Sequence, residues 1–249
     1  MKRFIRCALA ALTLGGLGGA ASAADLAPPP APIETAPPPA PFHPFQIRLR
    51  AVGVLPESGG SLSTVPAGAF VSNGFRASNQ VIPEIDVSYF FTPNLAVEAI
   101  CCVTKHNVYL SGGALNGQQV ASSWLFPPTV LLQYHWTNFG AFQPYVGIGV
   151  NYTHYFSQQP DGVILNTVSI GDSWGVAGQV GVDYMINDQW GLNLDVKKIM
   201  MNPRVTATIA PGNLSIIGRA NISPWMVGGG VTFRFGGQAA PIAPVVAKY

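Results

Sequence analysis

The residue types that chemistry needs are present in this chain but poorly placed for it. His43, His106, His135 and His154 are scattered, and no two have the spacing of a metal-binding pair. His154, Ser157 and Asp161 come nearest to the serine, histidine and carboxylate of a hydrolase, yet their spacing fits no nucleophile motif. Alternation along that segment also turns His154 outward. Gly228-Gly229-Gly230 lacks the Lys-Ser/Thr pair and the helix of a phosphate loop. Cys101 and Cys102 are adjacent, so on a strand they face opposite ways and a bond between them would be strained. They read as plain strand residues, with vicinal metal binding as the alternative. No catalytic residue, metal site or cofactor is expected from these sets.

A second pattern says more. Polar, charged or small residues recur at every second position, against apolar partners. Gln46, Arg48 and Arg50 alternate with Ile47, Leu49 and Ala51, and Glu84, Asp86 and Ser88 with Ile85, Val87 and Tyr89. The same holds for Ala96, Glu98, Ile100 and Cys102, for Thr129, Gln133 and His135, and for Gly147, Gly149, Asn151 and Thr153. It recurs in Gly175, Gln179, Gly181 and Asp183, in Asn193, Asp195 and Lys197, and in Gly228, Gly230, Thr232 and Arg234. Period two is the mark of a strand with two unlike faces. Eight such segments arise, each long enough for a tilted bilayer crossing, and none is followed by an apolar run long enough for a membrane helix.

The connections favour a barrel over a sandwich. Thr92 to Asn94, Thr137 to Ala141 and Asn187 to Gln189 are tight, whereas 56–79, 105–123, 157–171 and 200–221 read as long loops. Short turns at one end and long loops at the other characterise outer-membrane barrels. Phe45, Phe91, Tyr134, Trp136, Phe142, Tyr145, Tyr184, Trp190, Phe233 and Phe235 gather near the short turns; Trp124, Phe126, Tyr152, Phe156, Trp174 and Trp225 gather near the long ones. Such rings prefer the two membrane interfaces. Lipid tolerates no open sheet edge, so the strands must close on themselves. The expected fold is all-β, an eight-stranded antiparallel transmembrane barrel of up-and-down topology.

The polar faces then line a narrow interior. The expected lumen set is Arg48, Arg50, Glu84, Asp86, Glu98, Ile100, Gln133, His135, Gly147, Gly149, Gln179, Asp183, Asp195 and Lys197. Unpaired charge there is costly. Arg48 and Arg50 should pair with Glu84, Asp86 and Glu98, and Lys197 with Asp195, Asp183 or Glu98. The inward glycines remove side-chain volume and leave room for facing side chains or a solute.

Only 10% of the 249 residues are charged, against about 25% in a typical soluble chain. The net charge of +2, with no basic run, offers no nucleic-acid footprint. Lys2, Arg3 and Arg6, an apolar stretch from Ala8 to Ala20, and Ala21-Ser22-Ala23 form a signal peptide over 1–23. A Pro-rich periplasmic linker over 24–44, the barrel over 45–235 and a disordered tail over 236–249 complete the expected organisation. With an even strand number, both termini belong in the periplasm and the barrel in the outer membrane.

Pro127-Pro128-Thr129, Gln133-Tyr134, Pro144-Tyr145-Val146-Gly147, Gly149 to Thr153, Asp172-Ser173-Trp174-Gly175, Gly181 to Tyr184 and Trp190 together resemble the outer membrane protein W family. The resemblance covers roughly 45–235 and implies an eight-stranded barrel with an apolar lumen that passes small hydrophobic molecules. Two positions depart from it: Gly236 to Tyr249 follow the terminal aromatic, and Lys197 stands where some relatives carry an aromatic. The implied partners are outer-membrane lipid, the barrel assembly machinery and small hydrophobic solutes. The alternative is a non-conducting anchor that works through its extracellular loops.

Overall fold

A computed structural model describes residues 41–57, 59–65, 70–72, 74–112, 116–210 and 214–237. The signal peptide, most of the Pro-rich segment and nearly all of the tail lie outside the described residues. The strands, in chain order, are β1 (Phe45–Leu55), β2 (Gly60–Val65), β3 (Phe70–Ser72), β4 (Phe75–Ala77), β5 (Gln80–Phe90) and β6 (Leu95–Cys101). Next come β7 (Thr104–Leu110), β8 (Gln119–Phe126), β9 (Thr129–His135), β10 (Phe142–Pro160) and β11 (Leu165–Ile170). The last are β12 (Ser173–Met185), β13 (Trp190–Met201), β14 (Arg204–Ile209), β15 (Leu214–Ala220) and β16 (Trp225–Phe235).

Eight of these close into an antiparallel barrel, each pairing with its neighbours in the order β1, β5, β6, β9, β10, β12, β13, β16. β1 and β16 seal it, in register from Phe45↔Phe235 to Leu55↔Trp225. The fold expected from the alternation is therefore the fold observed. Its outer face is apolar: Leu49, Ile85, Leu132, Ile148, Val180 and Leu194 are all at least half exposed. A surface of that kind is stable only in lipid. Aromatic contacts mark its lower rim, where Phe45 packs on Tyr89 and Phe235, and Trp190 on Phe233. Tyr152 on Trp174 marks the upper rim.

The stretches expected as long loops are mostly strands, and this corrects the sequence reading. β10 runs on past the barrel and exchanges β9 for β8 at His154↔Phe126. β8, β7 and β4 continue the wall on that side, and β11, β14, β15, β2 and β3 on the other. Two small connections bring these sheets together: a bridge between Gly59 and Phe75, and the Gln158 side chain, which takes the Ile170 N–H at 2.5 Å and donates to its carbonyl at 2.9 Å. The physical reason for the misreading is an inversion. On the barrel the outward residues are mostly apolar and face lipid; on the extension apolar residues turn inward and many outward ones are polar or small. Val205 and Ala207 point in while Arg204 and Thr206 point out. Small and polar outward residues over six-residue segments imitate loop composition.

Candidate functional site

The lumen is layered. Along β1 the inward residues run Gln46, Arg48, Arg50, then Val52 and Val54. Along β13 they run Asn193, Asp195, Lys197, then Ile199 and Met201, and along β5 Ser88, Asp86, Glu84, then Ile82. Across the neighbouring strands β1 and β5 the change falls at one height, with Arg50 opposite Glu84 and Val52 opposite Ile82.

In the polar layer Arg48 reaches Asp183 at 2.8 Å and also pairs with Glu98. Arg50 lies 2.6 Å from Glu84, 2.5 Å from Asp86 and 2.7 Å from Asp195. Lys197 contacts Glu84 at 2.7 Å and Asp195 at 3.6 Å. Arg48 and Arg50 therefore find the expected acids, with Asp183 and Asp195 added. For Lys197, Asp195 is a partner, but the shorter contact is to Glu84 rather than to Glu98 or Asp183. Gln133 donates to Gln179 at 2.8 Å, and Gln179 donates to Glu98 at 3.2 Å and also bonds Asp195. His135 bonds Gln133 at 3.1 Å and stacks on Tyr145 at 4.7 Å. Counting Arg234, four cations face five carboxylates. All but Arg234 are at most 3% exposed, so these charges depend on one another for their partners.

Every residue of the expected lumen set lies on the inner face, with Gly147 and Gly149 partly exposed. The glycines leave room for facing side chains at Gly147, beside Gln133 and Gln179, and at Gly181, beside Tyr145, but not at Gly149 and Gly230. A Cβ at Gly149 would sit 1.9 Å from the Val130 carbonyl, and one at Gly230 would sit 2.0 Å from that of Leu49. These glycines let strands approach closely and open no path. Tyr145 was misassigned as well. It is not a rim aromatic but an inward ring, 1% exposed, whose hydroxyl accepts from Asn193 at 3.0 Å. Its alternation with Gly147 and Gly149 was the available signal.

Above the polar layer lies an apolar one of Val52, Ile82, Ile100, Leu131, Ile199 and Met226 among others. The extension adds Phe75, Leu110, Val120, Leu165, Ile170, Val205 and Ile216, all missed with the strands that carry them. The free space follows this division. Two cavities, of about 60 and 50 Å³, lie one above the other in the apolar part and share Val108, Ile170 and Ile222 as walls. At Glu84, Ile100 and Lys197 the space falls to about 10 Å³, near the volume that holds a single water. A wide mouth of about 490 Å³ follows at the short-turn end, around Phe90, Gln143 and Arg234.

The weak hydrolase set is dispersed. His154 pairs with Asp172 at 2.9 Å, while Asp161 accepts from the Ile164 and Leu165 N–H groups and fixes a turn. Hydrogen bonds from Tyr152 and His154 hold the Asp172 carboxyl below the ordinary carboxylate range. Cys101 and Cys102 are free, one exposed and one buried.

A lipid-facing closed sheet with a polar core and an apolar chamber defines an outer-membrane β-barrel. More particularly, the chain belongs to the OmpW family, whose model matches residues 44–235. It is 42% identical to an uncharacterised outer-membrane protein, y4mB, of Sinorhizobium fredii, over 94% of this chain and 97% of that one. Outer membrane protein W of Vibrio cholerae is 35% identical over 60% of this chain and 72% of its own. The crystal structure of OprG from Pseudomonas aeruginosa superposes with a TM-score of 0.70 at 28% identity, covering 79% of this chain and 97% of that one.

Proposed function

We propose that this barrel is a narrow binding pore for small hydrophobic molecules. The observation that carries the reading is the chamber: apolar walls from Phe75 down to Ile100, closed below by Lys197 and Glu84. Burial of apolar surface drives a solute into such a space, while the ion-paired layer offers it nothing. In this reading the extension faces outside, both termini lie in the periplasm, and the barrel assembly machinery inserts the chain from its last strand. Because the lumen narrows at the polar layer, the solute leaves sideways. The wall supports this at one seam. The β6–β9 ladder ends at Ile100↔Thr129 and the β7–β8 ladder begins at Thr104↔Leu125, with Pro127 and Pro128 between. Two prolines supply no N–H there. No catalytic role belongs to this reading.

Lys197→Ala should raise conductance in planar bilayers, and Ile100→Trp should reduce uptake of a small hydrophobic probe, both in protein that keeps its compact gel band. The filled polar layer favours a second reading, a non-conducting anchor acting through its extracellular surface. If neither change alters its measurement, that second reading replaces the first.

A further inference from the structure

Outside the lumen, one pair of charges is placed against elementary electrostatics. Arg204 on β14 and Arg219 on β15 stand directly opposite each other in the antiparallel register. Their neighbours Val205 and Ala220 are buried in the chamber wall, so both arginines project outward, and both are exposed. Cβ atoms so placed lie about 5 Å apart, and like charges there destabilise the pair.

The surroundings do not relieve the repulsion. Three acidic residues lie on the extension and its lower edge, and each is engaged elsewhere. Glu57 is 2.5 Å from Lys198, Asp172 binds Tyr152 and His154, and Asp161 fixes its turn. The other outward cations of this region also have partners: Arg76 lies over Tyr109 at 5.5 Å and Lys105 over Trp124 at 6.0 Å. Among the described outward cations here, Arg204 and Arg219 alone make no ion pair, ring contact or side-chain hydrogen bond. The masked positions within this region carry no charged residue.

Their height matters. The Arg204 carbonyl accepts from Gly171 N–H at 2.9 Å, three residues before Trp174, and Arg219 precedes Trp225 by six residues. Both tryptophans belong to the upper aromatic rim. The pair therefore stands just above the hydrocarbon boundary, at the level of lipid headgroups. We propose that Arg204 and Arg219 together bind a phosphate group of an anionic lipid in the surrounding leaflet. Two guanidinium forks supply parallel N–H donors to phosphate oxygens, and the anion converts the mutual repulsion into a shared attraction. This site lies on the outer wall and is independent of the pore reading.

The test uses the full barrel reconstituted in phosphatidylcholine vesicles, alone or with a small fraction of lipid A, either phosphorylated or dephosphorylated. The readout is the temperature at which the compact gel band is lost. Phosphorylated lipid A should raise it in the unaltered protein and dephosphorylated lipid A should not. Arg204→Gln/Arg219→Gln should abolish the rise. In pure phosphatidylcholine the same double variant should melt higher than the unaltered protein, because the repulsion is gone. An equal rise in both proteins, or no rise in the unaltered one, overturns the proposal. So does an equal rise with inorganic phosphate alone, which would mark a site for free anions rather than lipid.

Discussion

The phenol of Tyr145 occupies the space that a side chain on Gly181 would need: a Cβ there would lie 2.5 Å from the ring carbon and the hydroxyl. The two residues face each other in register across β10 and β12. The ring cannot swing away, because His135 stacks on it and Asn193 bonds its hydroxyl. Gly181→Ala should therefore cost about 1–3 kcal/mol by overpacking. Urea unfolding in detergent measures this, and Tyr145→Ala in the same chain should recover part of the loss. Additive effects in the double variant would show that the two sites are not coupled.

Arg48 is the second prediction. It is fully buried between Glu98 and Asp183, in a layer where carboxylates already outnumber cations. Arg48→Met leaves two carboxylates short of a partner and should cost about 3–5 kcal/mol. Arg76→Met, on the exposed outer wall, should change stability by no more than about 0.5 kcal/mol. Adding Glu98→Gln to Arg48→Met should restore some stability. A harmless Arg48→Met would mean that water already hydrates the layer.

The barrel itself was legible because its two faces differ so sharply. Ile47, Leu49 and Ala51 against Gln46, Arg48 and Arg50 admit one arrangement, and a one-residue slip would put guanidinium groups in lipid. The lumen residues followed from the same parity. What stayed hidden was tertiary. Glu84 is far from Lys197 in sequence, and only closure through β1 and β16 brings them to 2.7 Å. The extension was hidden because Thr206 and Arg204 sit on its outside, so the alternation keeps its period but reverses its sense. Gly149 and Gly230 were misread because sequence reveals a missing side chain but not the backbone that fills its place.

A third prediction locates the membrane band through two exposed valines. Val180 on β12 is 55% exposed within the apolar outer face, and Val163 at the β10–β11 tip is 79% exposed. An arginine on the lipid face near the bilayer midplane costs roughly 2–4 kcal/mol and near the interface almost nothing. Val180→Arg should thus lower folding yield into vesicles, and Val163→Arg should leave it unchanged. Equal losses would place the extension inside the bilayer.

The last prediction concerns orientation, on which the direction of solute access depends. Outer-membrane barrels keep short turns in the periplasm and their longer elements outside. Here the tight turns around Asn94 and Asp188 are at one end, and the extension with the tips near Asn116 and Val163 is at the other. Cys101 is exposed on the outer face of the wall, so the labelling background must first be cleared by Cys101→Ala and Cys102→Ala. In that background Val163→Cys and Asn116→Cys should react with a membrane-impermeant maleimide on intact cells. Asp188→Cys, in a fully exposed turn, should react only after the outer membrane is permeabilised. Asp161 is a poor labelling site despite its position, because its carboxylate fixes the turn at Ile164 and Leu165. If Asp188→Cys labels on intact cells while Val163→Cys does not, the extension faces the periplasm. The apolar chamber would then open inward, and a pore that takes up hydrophobic solutes from outside would have its opening on the wrong side.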